Sequence, residues 1–320
     1  MSRAISEKFL SDLKDSKFLT MIQRDNTLDL ELRGRFVEVY YRGCAIMKIN
    51  QYLKITGADK KYFERTGIAD IPALPTSLND HKGCLNYVGL AKLAVDIYCS
   101  TIKKNNETEA QQRIVYENNI STVANDTDYF IIDIEYKNEL KKEFDIVALK
   151  WASDQTIRRF GKDKTIGITI FELKYGQKAI GSSSKAKNQK SASMSAHMKD
   201  YNDFIKQGTG IINDFKKDML TVFVQKCELG LVSFGNSKNK HWQDFVEFDK
   251  TKGKKWFDVN NVDLQFGYVF ANYKKASTFI TEELAKFSDD FLVMDSSFMG
   301  YGLYLSNQHY RKYLEDKLKI

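Results

Sequence analysis

Residues 143–151, EFDIVALKW, and residues 165–175, TIGITIFELKY, decide the fold. Both are short apolar runs rich in β-branched and aromatic side chains, with polar or glycine-containing sequence on either side. That is the pattern of buried strands. Residues two apart in a strand share a face, so Glu172 and Lys174 project together and Leu173 turns the other way, into the core. An antiparallel hairpin of the two runs brings Asp145, early in the first, beside Glu172 and Lys174, late in the second. Two carboxylates and one ammonium then meet at one corner of a sheet.

Outward from this hairpin, DYFIIDIEYK (128–137) reads as a preceding strand. ETEAQQRIVYENNISTVA (107–124) reads as a helix with Ile114 and Val115 inward. Downstream, KNQKSASMSAHMKDYNDFIKQ (187–207) carries Met194, Met198, Tyr201 and Ile205 along one helical side, and MLTVFVQKC (219–227) reads as a fourth strand. The order is α-β-β-β-α-β. Further upstream, residues 5–19 have helical spacing. The runs 27–32, 35–41 and 45–49 are punctuated by Arg33-Gly34 and Arg42-Gly43, which predicts an antiparallel meander. Residues 50–80, containing the only two prolines, Pro72 and Pro75, look irregular, and 85–104 read as a helix. The expected division is an N-terminal strand-and-helix extension over 1–105 and an α/β core over 106–320. In the second part, 242–250, 262–273 and a helix near 280–287 extend the sheet and its covering layer.

Composition narrows the classes of function. Four cysteines occur with no CxxC pair and no zinc spacing, so free thiols in a reducing compartment are expected. The N-terminus lacks the apolar stretch of a signal peptide, and no apolar run has the length of a membrane span, which predicts a cytoplasmic protein. The net charge of +7 is compatible with an anionic partner. No P-loop, dinucleotide-binding glycine fingerprint, GxSxG or HExxH is present.

The carboxylate–lysine set has a chemistry of its own. Asp145 and Glu172 supply hard oxygens of the kind Mg²⁺ or Mn²⁺ prefers, and the backbone carbonyl of Leu173 offers another. Such an ion acidifies water and stabilises charge on a phosphoryl oxygen, and Lys174 can orient the water and offset phosphate charge. In order and motif, residues 106–227 resemble the PD-(D/E)xK nuclease superfamily, the restriction-endonuclease-like fold with its αβββαβ core. The motif stands as Phe144-Asp145, then Glu172-Leu173-Lys174. Phe144 replaces the family's proline, and a long turn over 152–164 lies between the two halves. The resemblance implies a mixed sheet flanked by helices, Asp145 and Glu172 as Mg²⁺ ligands, and Lys174 as the catalytic lysine. It also implies hydrolysis of phosphodiester bonds, in DNA first, in defence or repair.

Many members of that superfamily carry a further acid on the first helix. Glu109 and Glu117 are the candidates, with Glu109 favoured by its distance upstream of Asp145 and Gln112 one turn after it; an ordinary solvated helix face is the alternative reading. On the second helix, His197 is a candidate for proton transfer, with a surface pair to Asp200 as the plainer alternative. Asp133 and Glu135 share a face of the first strand, either as an alternative carboxylate pair next to the site or, more simply, as edge or hydrogen-bonding residues. Lys185, Lys187 and Lys190, with Arg158 and Arg159 between the motif strands, are candidate nucleic-acid contacts. The alternative function is a nuclease-like module that binds nucleic acid or protein without cleaving. Assembly into a homo-oligomer is compatible with either reading.

Overall fold

Arg42 and Gly43 both take positive φ, at 49° and 69°. A two-residue hairpin loop with that geometry matches the right-handed twist of its strands. This turn joins β2 (Phe36–Tyr41) to β3 (Cys44–Asn50), with Tyr41 opposite Cys44. With β1 (Leu28–Leu32) and β4 (Ile55–Gly57) they form the expected N-terminal meander, an antiparallel sheet in the order β1-β2-β3-β4. The computed structural model describes residues 2–68, 72–104, 106–153, 166–176, 194–233, 259–272, 292–295, 300–304 and 308–310.

The predicted single helix over 5–19 is two helices, α1 (Glu7–Lys14) and α2 (Lys17–Arg24). The chain breaks because Ser16 leaves helical geometry and caps α2, accepting the Leu19 N–H at 3.1 Å. A short α3 (Lys61–Glu64) follows, then α4 (His81–Thr101), capped by Asp80 through the Gly83 N–H.

The second part of the chain holds α5 (Asn106–Asn119), β5 (Tyr129–Lys137), β6 (Glu143–Lys150) and β7 (Gly167–Tyr175). Next come α6 (Met194–Ile205), α7 (Thr209–Glu228), β8 (Asp263–Ala271), β9 (Leu292–Asp295) and β10 (Gln308–Tyr310). The sheet order is β10-β9-β8-β7-β6-β5. β5, β6 and β7 are antiparallel neighbours, and β8 runs parallel to both β7 and β9. The protein is thus of mixed α/β class with two sheets.

A second sequence expectation is overturned. Residues 219–227 are not a strand but the second half of α7. Read alone, MLTVFVQKC has the β-branched, apolar look of a strand. Read with the preceding residues, Phe215, Met219, Val222, Phe223 and Lys226 are buried at helical spacing, and that longer period prevails. The fourth strand of the core is supplied by 263–271 instead. Segments 242–250 and 280–287, and the basic residues Arg158, Arg159, Lys185, Lys187 and Lys190, lie outside the described residues.

Helices cover both faces of the larger sheet. On one, Ala110, Ile114 and Val115 of α5 pack with Ile131, Ile146, Phe171 and Leu173. On the other, Met194, Met198, Phe204, Phe215 and Phe223 of α6 and α7 pack with Phe130, Val147, Ile168, Ile170 and Tyr268. That second core is continuous with the apolar cluster of the N-terminal helices and meander, including Phe9, Leu13, Phe18 and Ile46.

A buried ionic seam also joins the two sheets. Lys226 Nζ of α7 donates to Glu31 Oε1 of β1 at 2.7 Å, and Arg33 pairs with Asp133 of β5, as does Arg3 at 2.9 Å. Desolvation pushes the Glu31 carboxyl up to about 8; Lys226 opposes the shift, and Asp29 adds to it. Asp133 is therefore held by arginines. That matches the plainer reading of Asp133 as a hydrogen-bonding residue, and Glu135 beside it sits at a positive φ of 51° that interrupts the regular strand.

Candidate active site

The backbone pairing of β6 with β7 ends at Ile146 opposite Phe171. One residue beyond, the Asp145 carboxylate replaces the missing ladder partner, with Leu173 N–H donating to Oδ2 at 2.8 Å. On its other side β7 stays paired with β8 to its end, with Glu172 opposite Tyr268 and Lys174 opposite Phe270. The strand that carries the motif is thus fixed along one edge and parted from its neighbour along the other. Leu173 points into the α5 core, as its position between Glu172 and Lys174 predicts.

Glu172 and Lys174 project to the face covered by α6, where they are 3% and 5% exposed. Lys174 Nζ donates to Glu172 Oε1 at 2.8 Å, and His197 Nε2 of α6 lies 2.9 Å from the same oxygen. Tyr268 fixes the start of α6 above the site, its hydroxyl donating to the Met194 carbonyl at 2.6 Å. The other oxygen, Glu172 Oε2, is buried and has no hydrogen-bond partner among the described residues. A buried carboxylate oxygen left alone is costly, and such a group points to a missing partner.

The carboxyls are pulled in opposite directions. Burial raises Asp145 well above the usual carboxylate range, and repulsion from Glu172 adds to it; Lys174 and the Leu173 N–H counter only part of this. Burial acts on Glu172 in the same sense but is outweighed by His197 and Lys174, so its carboxyl is lowered. Two acids at close range do not ionise equally.

Glu107, exposed in the first turn of α5, lies within electrostatic reach of this group. Its carboxyl is raised by partial desolvation, with Lys174 and His197 pulling it down and Glu172 pushing it up. Sequence reasoning chose Glu109 from its distance to Asp145, and the structure puts Glu109 elsewhere. Its oxygens pair with Arg42 at 3.2 Å and Arg113 at 2.6 Å. Gln112 is likewise occupied, accepting from Gly43 N–H and donating to the carbonyls of Thr27 and Tyr40, which locks α5 onto the meander. The signal that identifies Glu107 was in the helical phase. Glu107 lies three and seven residues before the sheet-packed Ala110 and Ile114, in phase with them, whereas Glu109 is about 200° round the helix from it. Asp200 does not pair with His197 but with Lys142, at 2.9 Å.

The donors suit a hard divalent cation that keeps several waters. Asp145, Glu172 and the Leu173 carbonyl are oxygens, Glu172 Oε2 has no other partner, and the repulsion at Asp145 is of the kind a cation relieves. Among the described residues, no three His, Cys, Asp or Glu side chains converge as a complete protein cage. No family model matches the chain, and neither a curated protein nor a solved structure matches it. Among the described residues no helix is long and apolar enough to cross a membrane.

Proposed function

We propose that the chain is a metal-dependent nuclease that hydrolyses phosphodiester bonds, first of all in DNA, on a core of the PD-(D/E)xK, restriction-endonuclease-like kind. The observation that carries this is the meeting of Asp145, Glu172 and Lys174 where β6 and β7 part, with a buried Glu172 oxygen left without a partner. The mixed sheet with α5 on one face and α6 and α7 on the other supports the same reading.

Asp145 and Glu172, with the Leu173 carbonyl, would hold Mg²⁺ or Mn²⁺. When bound, the cation supplies positive charge to the phosphoryl oxygens and acidifies water. Lys174 contributes a fixed ammonium beside the reacting phosphate, where it holds the attacking water and offsets developing charge. His197 shares Glu172 Oε1 with Lys174, so it keeps Glu172 ionised and is within reach for proton transfer. Glu107, at the rim, adds a carboxylate able to hold a water of the cation's shell. The test is Mg²⁺- or Mn²⁺-dependent cleavage of DNA by the wild type, abolished by Asp145→Ala and by Lys174→Ala. Cleavage at full rate in both variants excludes the proposal.

A second reading, a nucleic-acid- or protein-binding module without chemistry, is favoured by one observation. Lys174 and His197 together already engage Glu172 Oε1, which leaves this carboxylate one free oxygen. That reading predicts salt-sensitive binding with no cleavage in either metal.

A further inference from the structure

The two sides of α4 are apolar for different reasons. Its inward side carries Cys84, Ala91, Val95 and Tyr98, all buried. All three of its leucines point the other way: Leu85 is 49% exposed, Leu90 38% and Leu93 49%. At about 100° per residue, Lys82, Leu85, Gly89, Leu93 and Asp96 fall within about 80° of one another, opposite the buried set. Leu85, Gly89 and Leu93 stack at i, i+4 and i+8, and Leu90 joins Leu93 at i, i+3. One exposed leucine needs no explanation, but an apolar row rimmed by charge is the pattern of an interaction surface.

Gly89, in the middle of the row, is the second observation. A glycine inside a helix is unfavourable, because its backbone loses the most freedom and no side chain packs in return. The other glycine of α4 has a reason within the chain. A Cβ at Gly83 would strike the carboxylate of Asp80, which caps the helix through the Gly83 N–H. Gly89 has no such reason: among the described residues nothing lies within 4 Å of a Cβ built there. On an exposed helix face, a missing side chain lets a second backbone approach closely.

The charges are the third. Lys82 and Asp96 stand seven residues to either side of Gly89, with opposite signs. Lys82 is exposed. Asp96 is held in place by Tyr41 and Arg42, each donating at 3.0 Å, yet its side chain stays 45% exposed with lone pairs to spare. Lys92, at the edge of the face, is already taken by Asp25 at 2.9 Å.

A second α4 laid antiparallel across the first at Gly89 satisfies all three observations. Counting outward from the glycine, Leu85 meets Leu93 of the partner subunit and Lys82 meets Asp96 of the partner subunit. Each contact then occurs twice, which is the self-complementarity that a two-fold axis demands. A parallel pair would set lysine against lysine and aspartate against aspartate, and like charges oppose it. We infer that α4 is the interface of an antiparallel homodimer whose two-fold axis passes Gly89. The helix is about 32 Å long, and one such face on another lies at the small end of specific interfaces, near roughly 1,200 Å² in total. The association is accordingly of about micromolar strength and depends on concentration.

The test is sedimentation velocity of the full chain over about 1–200 μM, a range that brackets such a constant. The wild type is expected to pass from monomer to dimer as its concentration rises. Leu93→Glu, a change at an exposed position, should weaken association by at least roughly tenfold, about 1.4 kcal/mol. Gly89→Gln puts a good helix former at the crossing point. It should raise the melting temperature of the dilute monomer and weaken the dimer by a similar factor, a combination that a merely structural glycine would not give. Lys82→Glu, which faces Asp96 of the partner subunit, should weaken association several-fold, most of all at low salt. Asp145→Asn should dimerise as the wild type does, so the outcome is independent of the nuclease reading. A wild type that stays monomeric at every concentration overturns the inference and leaves the face to a partner of another kind. Unchanged affinity in both Leu93→Glu and Gly89→Gln, or in Lys82→Glu, overturns it as well.

Discussion

Leu173 donates its backbone N–H to the Asp145 carboxylate at 2.8 Å, one residue past the last backbone pairing between β6 and β7. A candidate metal ligand is thus also a structural acceptor, and the two duties can be separated by substitution. Asp145→Asn keeps an oxygen for the Leu173 N–H and removes the charge facing Glu172. Asp145→Ala leaves that N–H without its acceptor, a loss of about 1–3 kcal/mol. The expected result in urea unfolding at neutral pH is that the Asn variant is more stable than the Ala variant by about that amount, with both inactive. Equal stabilities would show that the bond contributes nothing.

Among the described residues Glu172 Oε2 has no partner, and the Asp145 carboxyl is raised by burial and by Glu172 beside it. A divalent cation relieves both, so Mn²⁺ should raise the melting temperature of the wild type. At a hundred times the dissociation constant, mass action stabilises by about 2.7 kcal/mol. Glu172→Gln and Asp145→Asn should lose most of that shift. A full shift in Glu172→Gln would place the ion elsewhere.

The two acids of the first turn of α5 are expected to separate cleanly. Glu107→Gln should slow metal-dependent cleavage with little change in stability, because its carboxyl is exposed and feels the charges of Lys174, Glu172 and His197. Glu109→Gln should leave cleavage intact and weaken the Arg42 and Arg113 pairs, a loss of up to about 1 kcal/mol. Paired rate and unfolding measurements on both variants decide it, and the reverse pattern would restore Glu109 to the site.

The ionic seam predicts a pH dependence. The Glu31 carboxyl is raised from 4.5 to about 8, first by desolvation. A carboxyl raised on folding binds a proton that the unfolded chain has released, so its stabilising share is complete below the unfolded value and lost as pH rises through the folded one. Asp29 is raised in the same sense, also by burial. Melting temperatures of the wild type should therefore fall between about pH 5 and pH 8, and Glu31→Gln should show a shallower fall. The slope is the readout, because the variant also leaves Lys226 buried without its partner. Parallel slopes would remove Glu31 as the source.

Much of the site was legible because it rests on strand periodicity. Glu172 and Lys174 had to share a face, and a β6–β7 hairpin had to bring Asp145 to them. What escaped depended on phase and on context. Glu109 was chosen by distance along the chain, whereas the side of α5 that meets the sheet is set by Ala110 and Ile114, which favours Glu107. The strand-like look of 219–227 hid a helix because a nine-residue window cannot separate a buried strand from half of a buried helix. The Asp133 partners, Arg3 and Arg33, lie at least a hundred positions away, and no local pattern announces such a pair. His197 stood out on its helix, but its proximity to Glu172 follows only once Tyr268 ties α6 to β8.

The parallel pairing of β7 with β8 has a consequence for how the protein is made. β7 carries Glu172 and Lys174, yet one of its two neighbours is encoded only at 263–271, after α6 and α7 have been synthesised. A nascent or truncated chain that stops after α7 has the lysine and both carboxylates but presents β7 with a bare row of backbone donors and acceptors, a template for aggregation. Pairings across such long sequence separations also form late in folding. Most of this chain therefore leaves the ribosome before the corner of Asp145, Glu172 and Lys174 can close, and any fragment designed to carry that corner has to extend through Ala271.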